Sequence, residues 1–322
     1  FSFTAETGGS LLFQGLTAYT NTSGNYSTFT AKTGGTLSLP NLKSISIDNQ
    51  YSGRTEIIYD GIGSTISMPK LQSLDDQGSN YQSAILARNG ANASIFTDAS
   101  WSFTNFYFTA QSDATLEVVG LTTAINMSFQ ANTGGTLILP DLVNVTGGYF
   151  GANWDGDTLG RGSKIVLSKL TETTGSTEFR ARDGGSIEAP SLTTLQADTF
   201  WVFGNNATAT LPGLTTANAS NLRVDNGGTL VLPSLTNVTV GNFGANWDGD
   251  SLNRPSRLLL SNLVATKGGT TFRARDGAIF EAPNLTTLNN DAFYVWGNNT
   301  TTTLPAITTA NGSTLRADYG GT

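Results

Sequence analysis

The chain has 322 residues of which 13% are charged, and Lys+Arg 17 against Asp+Glu 24 gives a net charge of -7; scattered cations on an acidic chain argue against nucleic-acid binding, which needs a clustered basic face. Histidine and cysteine are both absent, which removes Ser-His-Asp and Cys-His nucleophiles, His-ligated zinc and disulfides together. No run approaches the ~18 apolar residues of a membrane span, so membrane insertion is not expected and any catalysis would rest on carboxylates.

In chain order, the first element is a turn and short strand at Thr7 to Phe13 (TGGSLLF), and it keeps returning. It recurs at Thr33 to Pro40 (TGGTLSLP), Thr133 to Pro140 (TGGTLILP) and Asn226 to Pro233 (NGGTLVLP), with weaker copies at Asp183 to Pro190 and Asp276 to Pro283. The glycines supply backbone angles closed to other residues, and alternate leucines such as Leu137 and Leu139 turn one face of a strand inward. The proline follows the apolar pair, where it ends the strand without removing a ladder bond.

A larger period contains these units. Residues 133–225 and 226–318 align without a gap, with about 60 of the 93 positions identical. Residues 33–132 form a diverged copy, 1–32 match the last part of one (Gly15-Leu16-Thr17-Ala18 against Gly120 to Ala124), and 319–322 open another. The chain therefore reads as one continuous solenoid over 1–322 and a piece of something longer. Each copy divides into four units averaging about 23 residues, a length that suits one coil of a right-handed parallel β-helix. The shorter coil of left-handed hexapeptide helices fits badly, and leucine-rich repeats need helical segments that this sequence lacks. The expected fold is all-β: a right-handed parallel β-helix (β-solenoid) of about 13 coils, four per 93-residue super-repeat. Stacked at ~4.8 Å, such coils make a rod on the order of 60 Å.

The candidate sites are weighed beside plainer readings. Asn153, Asp155 and Asp157, copied as Asn246, Asp248 and Asp250, alternate as the first ligands of a calcium loop do, but Thr158 and Lys164 stand where that loop needs glycine and glutamate. A polar Asp-Gly turn is the competing reading, with calcium the only cofactor in question. Trp154 and Trp247 on the same loops offer flat faces for sugar rings. So do Trp201, Phe203, Tyr294 and Trp296, which alternation places outside if Phe200 and Val202 face the core; the competing reading buries these rings under the loops. Arg180 and Arg182, copied 93 residues on, would grip an acidic glycan or pair with neighbouring carboxylates. Paired acids raise a polysaccharide-cleaving enzyme, yet every acid is copied where an active site is normally one asymmetric constellation. Threonine runs such as Thr300 to Thr303 raise ice binding, which the irregular coil lengths disfavour.

The Gly-Gly-Thr-Leu-x-Leu step (Gly134 to Leu139, Gly227 to Leu232) resembles the strand repeats of bacterial surface β-helix proteins, the autotransporter-passenger and haemagglutinin-like adhesin class. The 93-residue super-repeat and the Pro-x-Leu step depart from that pattern. The resemblance implies export, a rod or filament on the cell surface, and adhesion or matrix assembly, with no catalytic residue carried over. A structural and adhesive surface protein is the first expectation and a glycan-binding β-helix the second. Uncapped coils expose strand edges, so end-to-end self-association or continuation into further repeats is expected.

Overall fold

A computed structural model describes residues 1–22, 26–47, 53–76, 82–97, 102–104, 106–154, 156–157, 159–247, 249–250 and 254–322. The chain is a right-handed parallel β-helix of short strands, about three to a coil, and every pairing among the described strands is parallel. Returning to the same sheet after each coil is a crossover whose right hand follows from strand twist. Two compact units divide it: residues 1–142 with 163–166, and 143–162 with 167–322.

Unit 1 contributes six strands to its first sheet, from Ser2–Ala5 to Ser128–Asn132. Inward residues stack in register, Phe3 on Phe29, Ile57, Ile85, Phe108 and Phe129. Unit 2 contributes eight, from Tyr149–Ala152 to Thr314–Asp318. The described strands of the first sheet thus mark fourteen coils, one above the expected thirteen, because the partial copy 1–32 carries two of them, Ser2–Ala5 and Tyr26–Lys32. In unit 2 the core column is Phe150, Phe179, Phe200, Leu222, Phe243, Phe272, Phe293 and Leu315. Its spacing reads 29, 21, 22 and 21 residues before the pattern restarts, which is the four-coil super-repeat in register.

The recurrent Gly-Gly pair has two separate jobs. Thr133 and Gly134 turn the chain at φ 50 and 85, the left-handed region that glycine enters without steric cost. Gly135 is needed for space, since a Cβ there would lie 2.2 Å from the Ala110 carbonyl oxygen. Leu137 and Leu139 then enter the core, both fully buried, with Leu142 after the proline. Rings stack face to face within the core: Phe150 and Phe179 at 4.9 Å, Phe179 and Phe200 at 5.2 Å. Among the described residues no helix is long and apolar enough to cross a membrane.

The corner between the strands Thr194–Gln196 and Thr199–Phe203 carries a buried carboxylate. Asp198, fully buried, accepts from the Thr173 hydroxyl at 2.6 Å and from the Thr177 and Gln196 amides at 2.8 and 2.7 Å. Asp291 repeats the arrangement with Thr266, Thr270 and Asn289. Burial lifts the Asp198 carboxyl above the usual range, and the Thr173, Gln196 and Thr177 hydrogen bonds only partly oppose it.

Candidate functional site: an arginine and indole ladder

Alternation along the first sheet of unit 2 sends Phe200 and Val202 into the core, both fully buried, and leaves Trp201 and Phe203 half-buried on the outer face. Tyr294 and Trp296 take the same places one super-repeat on. Strand register then decides what these rings meet. The middle outward column runs Gly151, Arg180, Trp201, Arg223, Gly244, Arg273, Tyr294 and Arg316. Arginines flank Trp201 on both neighbouring strands, and their guanidinium carbons stand over the indole at 4.5 Å (Arg180) and 5.1 Å (Arg223).

The loop tryptophans join the same stack. Trp154 lies 3.6 Å from the Arg180 guanidinium and meets Tyr149 edge-on at 4.1 Å. Trp247 lies 4.1 Å from the Arg273 guanidinium, which also stands 5.2 Å from Trp296. The Trp247 ring folds back toward a strand position that holds glycine, whereas the equivalent Gly151 makes room for the Tyr149 ring. At Gly244 a Cβ would come within 2.4 Å of Trp247 Cε3, so only a missing side chain lets the ring lie down. The order along the sheet alternates indole and guanidinium, the geometry that attracts a cation to a π face.

Asp225 fixes the centre of this ladder. It is 5% exposed, and its carboxylate accepts from Trp201 Nε1 at 2.7 Å, Arg223 Nη2 at 3.0 Å and the Trp247 amide at 2.7 Å. Burial raises its pKa; the Arg223 charge and the Trp247 and Trp201 hydrogen bonds pull the other way without cancelling it. Other arginine contacts on this face reach acids as well: Arg180 with Glu178 at 2.9 Å, Arg182 with Asp183 and Arg275 with Asp276 at 3.0 Å.

The alternating Asn and Asp residues serve their own loops. Asn153 and Asn246 sit at φ 58 and 54, where asparagine is tolerated best after glycine. Asn153 Nδ2 donates to the Arg161 and Asp183 carbonyls, and Asn246 Nδ2 to those of Arg254 and Asp276. Asn246 Oδ1 also accepts from Ser256 Oγ at 2.5 Å and from the Asn226 amide at 3.0 Å. The Asp157 carboxylate accepts from Arg161 Nε at 2.8 Å and the Leu159 amide at 3.0 Å, which hold it below the usual carboxylate range. Asp250 takes Arg254 Nε at 2.7 Å. Asp155 and Asp248 lie outside the described residues. Among the described residues no three acids, histidines or cysteines are grouped to hold a metal ion.

Two open cavities contain a repeat-related Arg-Asp pair, and the first of them borders a loop. One, of about 420 Å³, is lined by Asp157, Arg182, Asp183 and Asn205; the other, of about 360 Å³, by Arg275, Asp276 and Trp296. The sequence placed the aromatic and basic residues in separate candidate sites. The structure brings them into one, because residues 21 or 22 apart in the chain are neighbours across the sheet. No protein-family model, curated protein or solved structure matches the chain.

Proposed function

We propose that the chain is a structural and adhesive repeat protein working outside the cell, on a cell surface, and that it is not an enzyme. The observation that carries this reading is the use of the outer rings. A sugar platform needs an open ring face, whereas Trp201 has a guanidinium over the ring from each side. The ladder spends its aromatic surface on tying one coil to the next. The acids support the same reading, since Asp157 and Asp250 are each held by an arginine four residues on. A catalytic centre is normally a single asymmetric constellation.

End-to-end assembly, with further repeats or a second copy, is the partner relation proposed here, because each coil of a solenoid buries its apolar face only against its neighbours. The alternative reading is a glycan-binding module that takes surface glycans through Trp154, Trp201, Trp247, Tyr294 and Trp296. A glycan array read with the wild-type chain and with Trp201→Ala and Trp296→Ala tests the choice. The structural reading expects no glycan retained through these rings. Specific retention that both substitutions abolish would replace it with the glycan-binding one.

A further inference from the structure

The strand stacking of unit 1 breaks twice, once between Ser102–Thr104 and Thr123–Ile125 and once, one coil earlier, on another face. On the first sheet, Arg54–Asp60 and Ser83–Arg88 pair through five consecutive residues. On the second face the same two coils part: Thr65–Ser67 is the last strand of the sheet that begins at Ser10–Leu12, and Asn92–Phe96 is the first of another. One coil earlier the Leu39 amide donates to the Ser67 carbonyl at 2.9 Å, and among the described residues Met68 makes no corresponding bond.

A single residue accounts for the gap. The inward column of the first sheet reads Ala5, Ala31, Tyr59, Ala87, Ala110 and Ala131. A phenol ring standing where its neighbours have a methyl group must find room, and Tyr59 is 3% exposed with its hydroxyl donating to the Ile66 carbonyl at 3.2 Å. The Thr65 amide and the Ser67 carbonyl both bond to the preceding coil. Backbone groups alternate sides along a strand, so those of Ile66 and the amide of Met68 face the gap. Tyr59 thus takes the acceptor that the next strand would have used and wedges the two coils apart.

The wedge leaves a cavity of about 260 Å³ floored by Tyr59, Ile66 and Ile95 and rimmed by Met68, Pro69 and Phe96. A second cavity of about 330 Å³ shares Pro69 and Phe96 and adds Lys43 and Lys70. Phe96 stands at the shared rim 71% exposed. Among the described residues no carboxylate lines either cavity, although the chain carries a net charge of -7. Facing strand edges, an apolar floor and two ammonium groups at one end describe the complement of an extended chain with apolar and acidic side chains.

We propose that this cleft binds an extended acidic peptide segment. The segment pairs its backbone with the Ile66–Met68 edge, seats an apolar side chain between Ile66 and Ile95 beside Phe96, and directs carboxylates to Lys43 and Lys70. The probe is a fluorescein-labelled, acetylated hexapeptide of alternating valine and glutamate, titrated into the full chain by fluorescence polarisation. Saturable binding is expected. It should weaken at least ten-fold when lysine replaces glutamate in the peptide or in the Lys70→Glu chain, and at least five-fold in Phe96→Ser, a surface change that leaves the core alone. Methylating alternate peptide amides should abolish it, and Trp201→Ala should leave it unchanged. No saturation at millimolar chain, or binding indifferent to both amide methylation and Phe96→Ser, overturns the proposal. Concentration-dependent dimers that Phe96→Ser abolishes overturn it too, by giving the cleft to a second copy.

Discussion

Trp201 is the residue whose loss should be felt furthest along the outer face. Replacing it with alanine removes two guanidinium contacts, at 4.5 and 5.1 Å, and the Nε1 bond to the buried Asp225 carboxylate at 2.7 Å. Half-exposed cation–π contacts are worth roughly 0.5–1 kcal/mol each, and a hydrogen bond to a charged group about 1.5–3 kcal/mol. The local cost is therefore about 3–4 kcal/mol. Trp201→Phe keeps a ring between the arginines and loses only the Nε1 bond, so about half of that is expected. Stacked coils do not unfold in a single step, which makes hydrogen exchange the better assay. Amides of Glu178–Arg182 and Asn221–Asp225 should exchange roughly several-hundred-fold faster in Trp201→Ala and roughly twenty-fold faster in Trp201→Phe. Protection within three-fold of wild type in both variants would refute the ladder as a source of stability. Equal loss in both would assign the whole effect to the Asp225 bond.

Three further substitutions probe other layers. Phe179→Ala empties a fully buried position stacked on rings at 4.9 and 5.2 Å; a loss of about 3–5 kcal/mol is expected in urea unfolding, and one below about 1 kcal/mol contradicts the core column. Gly244→Ala puts a methyl where Trp247 lies, so the indole should leave, its emission shift to the red, and stability fall by about 1–3 kcal/mol. For Asp198, burial raises the folded-state value, so the folded chain binds this proton more readily than the unfolded one. Its contribution is full below the ordinary aspartate range and is lost as pH rises through the folded value. Stability measured for wild type minus that of Asp198→Asn should therefore fall as pH rises above the ordinary aspartate range of about 4, and a difference that rises instead would contradict this.

The fold was legible because the information is local and repeated. Gly134, Gly135, Leu137, Leu139 and Pro140 state a turn, a strand and its end within eight residues, and the 93-residue offset restates it. What escaped depends on register. Arg180 and Trp201 are neighbours only once Phe179 is known to pair with Phe200, so ring and cation read as separate sites. Asn153 and Asp157 showed the right chemistry for a ligand loop, but their partners, the Asp183 carbonyl and Arg161 Nε, show how that chemistry is used within the loop. Asp198 left a weak trace, the Leu-x-x-Asp spacing repeated at Leu288 and Asp291, with nothing in it to say that the acid faces inward. Tyr59 stood in plain view beside its turn; its meaning lay in the alanines on either side of it, Ala31 and Ala87, which only alignment of coils reveals.

Electron microscopy of the concentrated chain tests the central claim, stacked coils that join end to end, most directly. Particles should associate through their ends into filaments with a coil spacing of about 4.8 Å and a super-repeat of about 19 Å. Particles that stay single at high concentration and show neither spacing would contradict it.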